Sequence, residues 1–187
     1  CSAAKEDGLA IRLHVDEFED GGGAGLAAKL GAVTADHAHY SNDEGREACA
    51  QAGTFQGFLL GTPYVMGENH WPPISQCIDE GWPWTIATDY NPNCQTLSMP
   101  FIGSIASQQL GIDPLATLVA ATRNPALTVN HRRGLRHGVI AEGAAASLNV
   151  LRSEHWESWC QTPGQNPHHS TMMDGKWVSG AFLNNDE

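Results

Sequence analysis

Lysine is nearly absent from this 187-residue chain: Lys5, Lys29 and Lys176 are the only ones. Ten lysines and arginines face 21 acidic residues, which leaves a formal net charge of −11 with the histidines neutral. A chain this acidic repels phosphate backbones and anionic headgroups, which argues against nucleic acid and the membrane surface as partners. The same balance fits a salt-adapted host and an ordinary acidic protein alike. No apolar run approaches the roughly 20 residues that a spanning helix needs. No signal-peptide pattern is present either. Five cysteines (Cys1, Cys49, Cys77, Cys94, Cys160) form no CxxC pair and leave an odd count. They read as reduced thiols of a cytoplasmic protein. Internal repeats and low-complexity tracts are missing, and the length suffices for one domain with a real core.

What is present is alternation. "LAIRLHVDEF" (9–18) reads as a strand, "GGGAGLAAKLG" (21–31) as a glycine-led helix, and "AVTADHAH" (32–39) as a second strand. "SNDEGREACAQAG" (41–53) is a helix capped by Ser41 or Asn42, followed by a strand at "TFQGFLLG" (54–61). "WPPISQCIDEG" (71–81) is a proline-started helix, "PWTIATDYN" (83–91) a fourth strand, and 98–111 and 113–126 two more helices. The texture changes near residue 130. Segment 134–151 reads as short strands and turns, and 157–180 as loop with a hairpin at Asp174-Gly175.

Four successive βα units amount to half of an eight-stranded barrel, in which chemistry sits where strands end and βα loops begin. That rule selects His14 and Glu17 after the first strand, His37 and His39 after the second, and Asp89 and Asn91 after the fourth. Imidazole and carboxylate on one rim suit a divalent metal such as zinc or iron. Such a metal brings the pKa of bound water near neutrality, and a neighbouring carboxylate can move the proton. Each residue alone has a plainer reading: a strand histidine is usually packed or solvated, and a strand-end Asp is usually a cap. His37-Ala38-His39 would be a metal pair only if both faced one side of a strand. His168-His169 reads as a surface pair in a loop, and the cluster His131, Arg132, Arg133, Arg136 and His137 as a solvated turn. Three polar strand ends on one rim are what raise the set above these readings. Asp16, the third ionisable residue in "LHVDEF", has no role in this scheme.

At these positions the sequence resembles the C-terminal part of imidazolonepropionases, members of the amidohydrolase superfamily. "HVDEFEDGGGAGLAAKLGAVTADH" (14–37) is similar to the family's HxDEF…GG…ADH block, and "IATDYNPNCQTLSMP" (86–100) to its ATDxNPG…SMP block. "LLGTPYVMGENHWPP" (59–73), "TRNPALTV" (122–129) and "GVIAEGAAASLNVL" (138–151) follow the family as well, so the resemblance covers nearly the whole chain. It implies the C-terminal half, strands 5–8, of an α/β metal-dependent (β/α)8 barrel over 1–130, and a return to the small β-sandwich over 131–187.

Residue by residue, the resemblance makes His14 and Asp89 ligands of one divalent metal, zinc or iron. Glu17 becomes the acid/base and substrate contact, and His37 polarises the lactam carbonyl. Asp89 shares proton transfer, while Asn91, Asn93 and Cys94 contact substrate or product. The family has Gly in place of Asn93 and Ser or Thr around Cys94, so the product-contacting edge differs here. His39 has no family role. The implied reaction is hydrolysis of the cyclic amide 4-imidazolone-5-propanoate to N-formimidoyl-L-glutamate, in histidine degradation. The family's first strand adds an HxH metal pair, and strands one to four add substrate-binding Arg, Tyr and His residues. The chain, which opens on Cys1 rather than Met, therefore reads as a portion needing that N-terminal half, inactive alone, from an enzyme expected to be homodimeric. An amidohydrolase acting on another heterocycle, or a metal-binding half-barrel without catalysis, are the alternatives.

Overall fold

Alternating apolar and polar residues, punctuated by glycine, produce a run of parallel βα units in the computed structural model, which describes residues 1–180. Contacts divide the chain between Leu97 and Ser98. The first unit contains α1 (Ser2–Glu6), β1 (Arg12–Val15), α2 (Gly23–Leu30), β2 (Thr34–His37), α3 (Asp43–Ala52), β3 (Phe55–Leu59), α4 (Gly61–Met66), α5 (Ile74–Asp79) and β4 (Trp84–Ala87). Its strands pair in the order β1-β2-β3-β4, all parallel, with β1 and β4 at the edges among the described residues.

One sheet face is apolar. Ile11, Val15, Ala32 and Ala35 pack with Ala24 and Ala27 of α2 and with Cys49 of α3. The side chains are small, so the helices approach the strands closely. The opposite face is polar: His14 lies beside Asp36 in register, and Asp36 beside Gly57. Helix ends follow their sequence signals. Gly31 closes α2 in the left-handed conformation, and the Asn42 side chain caps α3 by accepting from the Gly45 N–H.

Arg46 is the largest of the fully buried side chains. Its guanidinium donates to the carbonyls of Ser41 (3.0 Å), Ala38 and His39 (2.6 and 3.1 Å) and to Gln56 Oε1 (2.9 Å). It thereby ties the loop after β2 to β3. Lysine keeps the charge but not the fork. Arg46→Lys is expected to cost about 2 kcal/mol, because buried carbonyls lose their donors; the shift in urea midpoint measures it.

The second unit begins with α6 (Met99–Ser104), which runs into a π-helical turn (Ile105–Gln109), and continues with α7 (Pro114–Ala121) and α8 (Arg123–Ala126). It ends in an antiparallel sheet of β5 (Leu148–Leu151), β6 (His168–Met173) and β7 (Lys176–Gly180), with α9 (Ser158–Gln161) between β5 and β6. The expected hairpin turns at Asp174-Gly175, both at positive φ. Two readings of the sequence need correction. His168 and His169 belong to β6 rather than a loop. His131 and Arg132 are not simply solvated, because both bind the Asp174 carboxylate at the hairpin tip. Among the described residues no helix is long and apolar enough to cross a membrane.

Candidate active site

The carboxyl ends of β1, β2 and β4 each break into a residue with positive φ. Asp16 follows β1 at 49°, His37 ends β2 at 71° with Ala38 at 46°, and Asp89 follows β4 at 60°. Non-glycine residues adopt this conformation only where the surroundings impose it, and such positions cluster at functional sites. The turn at Asp16 folds Glu17 back over the strand end. Glu17 Oε2 then lies 3.1 Å from His14 Nε2, and Glu17 Oε1 3.8 Å from His37 Nδ1. The two imidazole rings are 4.5 Å apart, and His37 Nε2 is 3.9 Å from Asp89 Oδ1. Four of the expected residues therefore meet on one rim.

His14, Glu17 and His37 each offer a ligand atom, all within 4.8 Å of one another. Two donors about 2.1 Å from one tetrahedral ion would be about 3.4 Å apart. The observed 3.1 and 3.8 Å bracket that value. The donor set is imidazole and carboxylate, which suits zinc or iron, and these three residues fit a single divalent cation; Asp89 lies outside the group of three, on the far side of His37 Nε2 at 3.9 Å.

Burial shapes the protonation of the cluster. It raises the Glu17 carboxyl above its usual range, with Asp89 adding to the rise and His14 opposing it. It lowers His37, with His14 adding to the fall and Asp89 opposing it. For Asp16 partial burial alone would raise the pKa, but hydrogen bonds from Ser41, Gly23, Ala24 and Gly21 leave it below the usual carboxylate range.

Beside the cluster lies an open pocket of about 90 Å³, lined by Glu17, Phe18, Thr62, Asn91, Asn93 and Cys94, with Val65 and Met66. Asn91 and Cys94 exchange backbone hydrogen bonds of 3.0 and 3.1 Å, which closes the loop after β4. The Asn91 side chain donates to the Asp89 carbonyl (2.8 Å) and accepts from the Asn93 N–H (2.8 Å). Cys94 is buried and donates to the Thr88 carbonyl at 3.5 Å. The three expected contact residues thus share one tight loop facing Glu17.

His39 does not join the cluster. Because His37 and Ala38 turn the chain, the two histidines do not share a face. His39 Nε2 instead pairs with the His70 carbonyl at 3.0 Å, and its ring stacks on Tyr40 and His70. Burial, then His70, push its pKa down to about 4.

Sequence reasoning missed two side chains here. Thr62, at the start of α4, donates a short hydrogen bond to Asp89 Oδ2 and so fixes that carboxylate. Nothing in its local sequence signals this, since α4 falls within an unassigned loop. Asp36 shares the polar face with His14, and the period-2 pattern of β2 carried that signal.

Comparison with known proteins agrees with the geometry. The chain is 34% identical over 176 residues to an imidazolonepropionase of Maricaulis maris, covering 94% of the chain and 43% of that protein. It is 37% identical over 177 residues to one of Alkaliphilus metalliredigens, covering 94% and 42%. The chain thus spans about two-fifths of the length of these curated relatives. No protein-family model matches it. Among solved structures, A. niger ochratoxinase aligns with a TM-score of 0.74 at 19% identity, over 96% of this chain and 43% of its own. A zinc-bound adenosine deaminase from Xanthomonas campestris gives 0.73 at 18%, over 94% and 46%. Parallel βα units with histidines and carboxylates on the carboxyl rim define part of an amidohydrolase-type (β/α)8 barrel. Within that class the chain is similar in sequence to imidazolonepropionases, over 36–43% of their length.

Proposed function

We propose that the complete enzyme hydrolyses 4-imidazolone-5-propanoate to N-formimidoyl-L-glutamate. The observation that carries this reading is the meeting of His14, Glu17, His37 and Asp89 beside the Asn91–Cys94 loop, in a chain 34–37% identical to imidazolonepropionases. His14 and Asp89 would hold one divalent metal, zinc or iron, which when bound supplies Lewis acidity and an acidified water. Glu17 takes a proton from the attacking water and delivers it to the ring nitrogen as the C–N bond breaks. Its raised pKa suits a group that must both accept and donate. His37, kept neutral by burial, presents Nε2 or Nδ1 to the lactam oxygen where negative charge develops. Asn91, Asn93 and Cys94 contact substrate or product from the pocket wall.

The reading extends to organisation. It assigns residues 1–130 to the barrel portion and 131–187 to the return to the small β-sandwich and the C-terminal tail. The N-terminal half of the barrel supplies the HxH pair and the remaining substrate contacts. The enzyme is a cytoplasmic homodimer. Assaying the complete enzyme on imidazolonepropanoate against other cyclic amides and amino-heterocycles tests the substrate. Faster turnover of one of the others would assign it elsewhere in the superfamily.

The ligand assignment predicts that His14→Ala and Asp89→Ala each lower bound metal, with an affinity loss of about 10-fold or more, while His39→Ala does not. His39 is engaged with His70 instead. Elemental analysis of the purified variants decides it, and metal loss in His39→Ala would require another ligand set.

A further inference from the structure

Asp16 stands between His14 and Glu17 yet points away from both, into the chain that follows. Its Oδ1 accepts the N–H groups of Gly21 and Gly23, each at 3.0 Å, and its Oδ2 accepts that of Ala24 at 3.0 Å. The Ser41 hydroxyl donates to the same Oδ2 at 2.5 Å. Four donors, three from the turn into α2 and its first residues and one from the loop after β2, converge on one carboxylate. The N-cap residue of α2 is Gly22, which has no side chain to offer, so Asp16 receives the first free N–H groups of the helix in its place. The Asp16 backbone takes part as well: its carbonyl accepts the Tyr40 N–H at 2.9 Å, while the neighbouring Val15 carbonyl accepts the Ala38 N–H at 2.9 Å. Ser41 passes the restraint on, since its carbonyl accepts from Arg46, which also holds the carbonyls of Ala38 and His39. Space is fixed too. A Cβ on Gly23 would meet Val15 Cβ at 2.5 Å and Asp16 Oδ1 at 2.8 Å, so α2 approaches the strand end this closely only with glycine there.

From this we infer that Asp16 is the positioning residue of the site. Its carboxylate holds the left-handed turn that brings Glu17 back onto His14, and through Ser41 it locks the β2 end carrying His37 to the β1 end. Asp16 does not touch the reacting atoms; it acts through His14, Glu17 and His37. The inference rests on the reading of His14 as a metal ligand. Residues that orient ligands in this way are worth about 10–100-fold in metal affinity. Misplacing a proton carrier by about 1 Å can cost about 100-fold in rate.

The test uses the complete enzyme and zinc alone, titrated in competition with a fluorescent chelator, alongside steady-state kinetics and thermal melting. Asp16→Ala is expected to weaken zinc binding about 100-fold and Asp16→Asn about 10-fold, since asparagine keeps an oxygen for Gly21 and Gly23. Ser41→Ala, which leaves the three amide donors in place, is expected to weaken it about 3-fold. In the asparagine variant kcat falls at least about 10-fold with KM within about 3-fold. The graded order, with partial rescue by asparagine, is what a merely structural role would not produce. Zinc affinity and kcat within twofold of wild type in Asp16→Asn and Ser41→Ala would overturn the inference. If Asp16→Ala does not fold, those two variants decide it. A wild type that binds zinc but ignores imidazolonepropanoate, with the graded losses of zinc affinity in the three variants, would refute the proposed substrate and leave the positioning role standing.

Discussion

Glu17→Gln in the complete enzyme should reduce turnover by about 10²–10⁴-fold while bound metal stays close to the wild-type amount. Glutamine keeps the shape and the oxygen that face His14 but cannot carry a proton. The side chain sits where a carrier must: 3.1 Å from His14 on one side, 3.8 Å from His37 on the other, and on the wall of the pocket. It is also mostly shielded, 15% exposed against 66% for His14, so bulk water cannot easily replace it as acid or base. Measuring kcat together with metal content separates the roles. A parallel loss of metal would make Glu17 a ligand, and activity within a few-fold of wild type would remove it from the chemistry.

The second large effect is expected at Gly61, the first residue of α4. Replacing a helical glycine by alanine normally stabilises by about 0.5–1 kcal/mol. Gly25, inside α2 with nothing within 4 Å of an added Cβ, should behave that way. At Gly61 the same methyl would press into the Thr88 carbonyl oxygen and lie 2.7 Å from Cys94 Sγ. The first of these is backbone at the end of β4, directly before Asp89, and cannot swing aside. Gly61→Ala is therefore expected to cost about 3 kcal/mol or more. Urea unfolding should show a lowered midpoint with an unchanged slope, beside a neutral or raised midpoint for Gly25→Ala. Equal midpoints for the two variants would mean that α4 can move away from β4.

These expectations draw on features that were unequally legible in the sequence. The βα alternation and the rim residues could be read directly, because strand periodicity and glycine punctuation are local signals. His14, Glu17, His37 and Asp89 followed from them, and so did the hairpin at Asp174-Gly175. What could not be read was direction. His37 and His39 look like a facing pair by spacing. They part because both His37 and Ala38 are left-handed, a conformation held by Arg46, which binds the carbonyls of Ala38 and His39 from eight and seven residues away in sequence. Thr62 was invisible for a similar reason: its partner Asp89 lies 27 residues on, and no spacing rule links them. The short helices α1, α4 and α9 carry too few residues for a periodic pattern to stand out. Asp16 was conspicuous from the start, but its partners come from loops whose meeting is a property of the fold.

The distribution of thiols turns the protein into its own conformational reporter. Cys1 is exposed, whereas Cys49, Cys77, Cys94 and Cys160 are buried. Burial pushes the thiols of Cys49 and Cys77 up to about 11 and about 12, and it raises Cys160 as well. An alkylating dye at neutral pH should therefore mark Cys1 within minutes and leave the other four untouched until the polypeptide around them opens. Cys49 sits on the buried face of α3, Cys77 on that of α5, Cys94 in the loop after β4, and Cys160 in α9 of the second unit. Mass spectrometry of alkylated peptides would then time the breathing of four separate places in the wild-type sequence, with no probe to engineer.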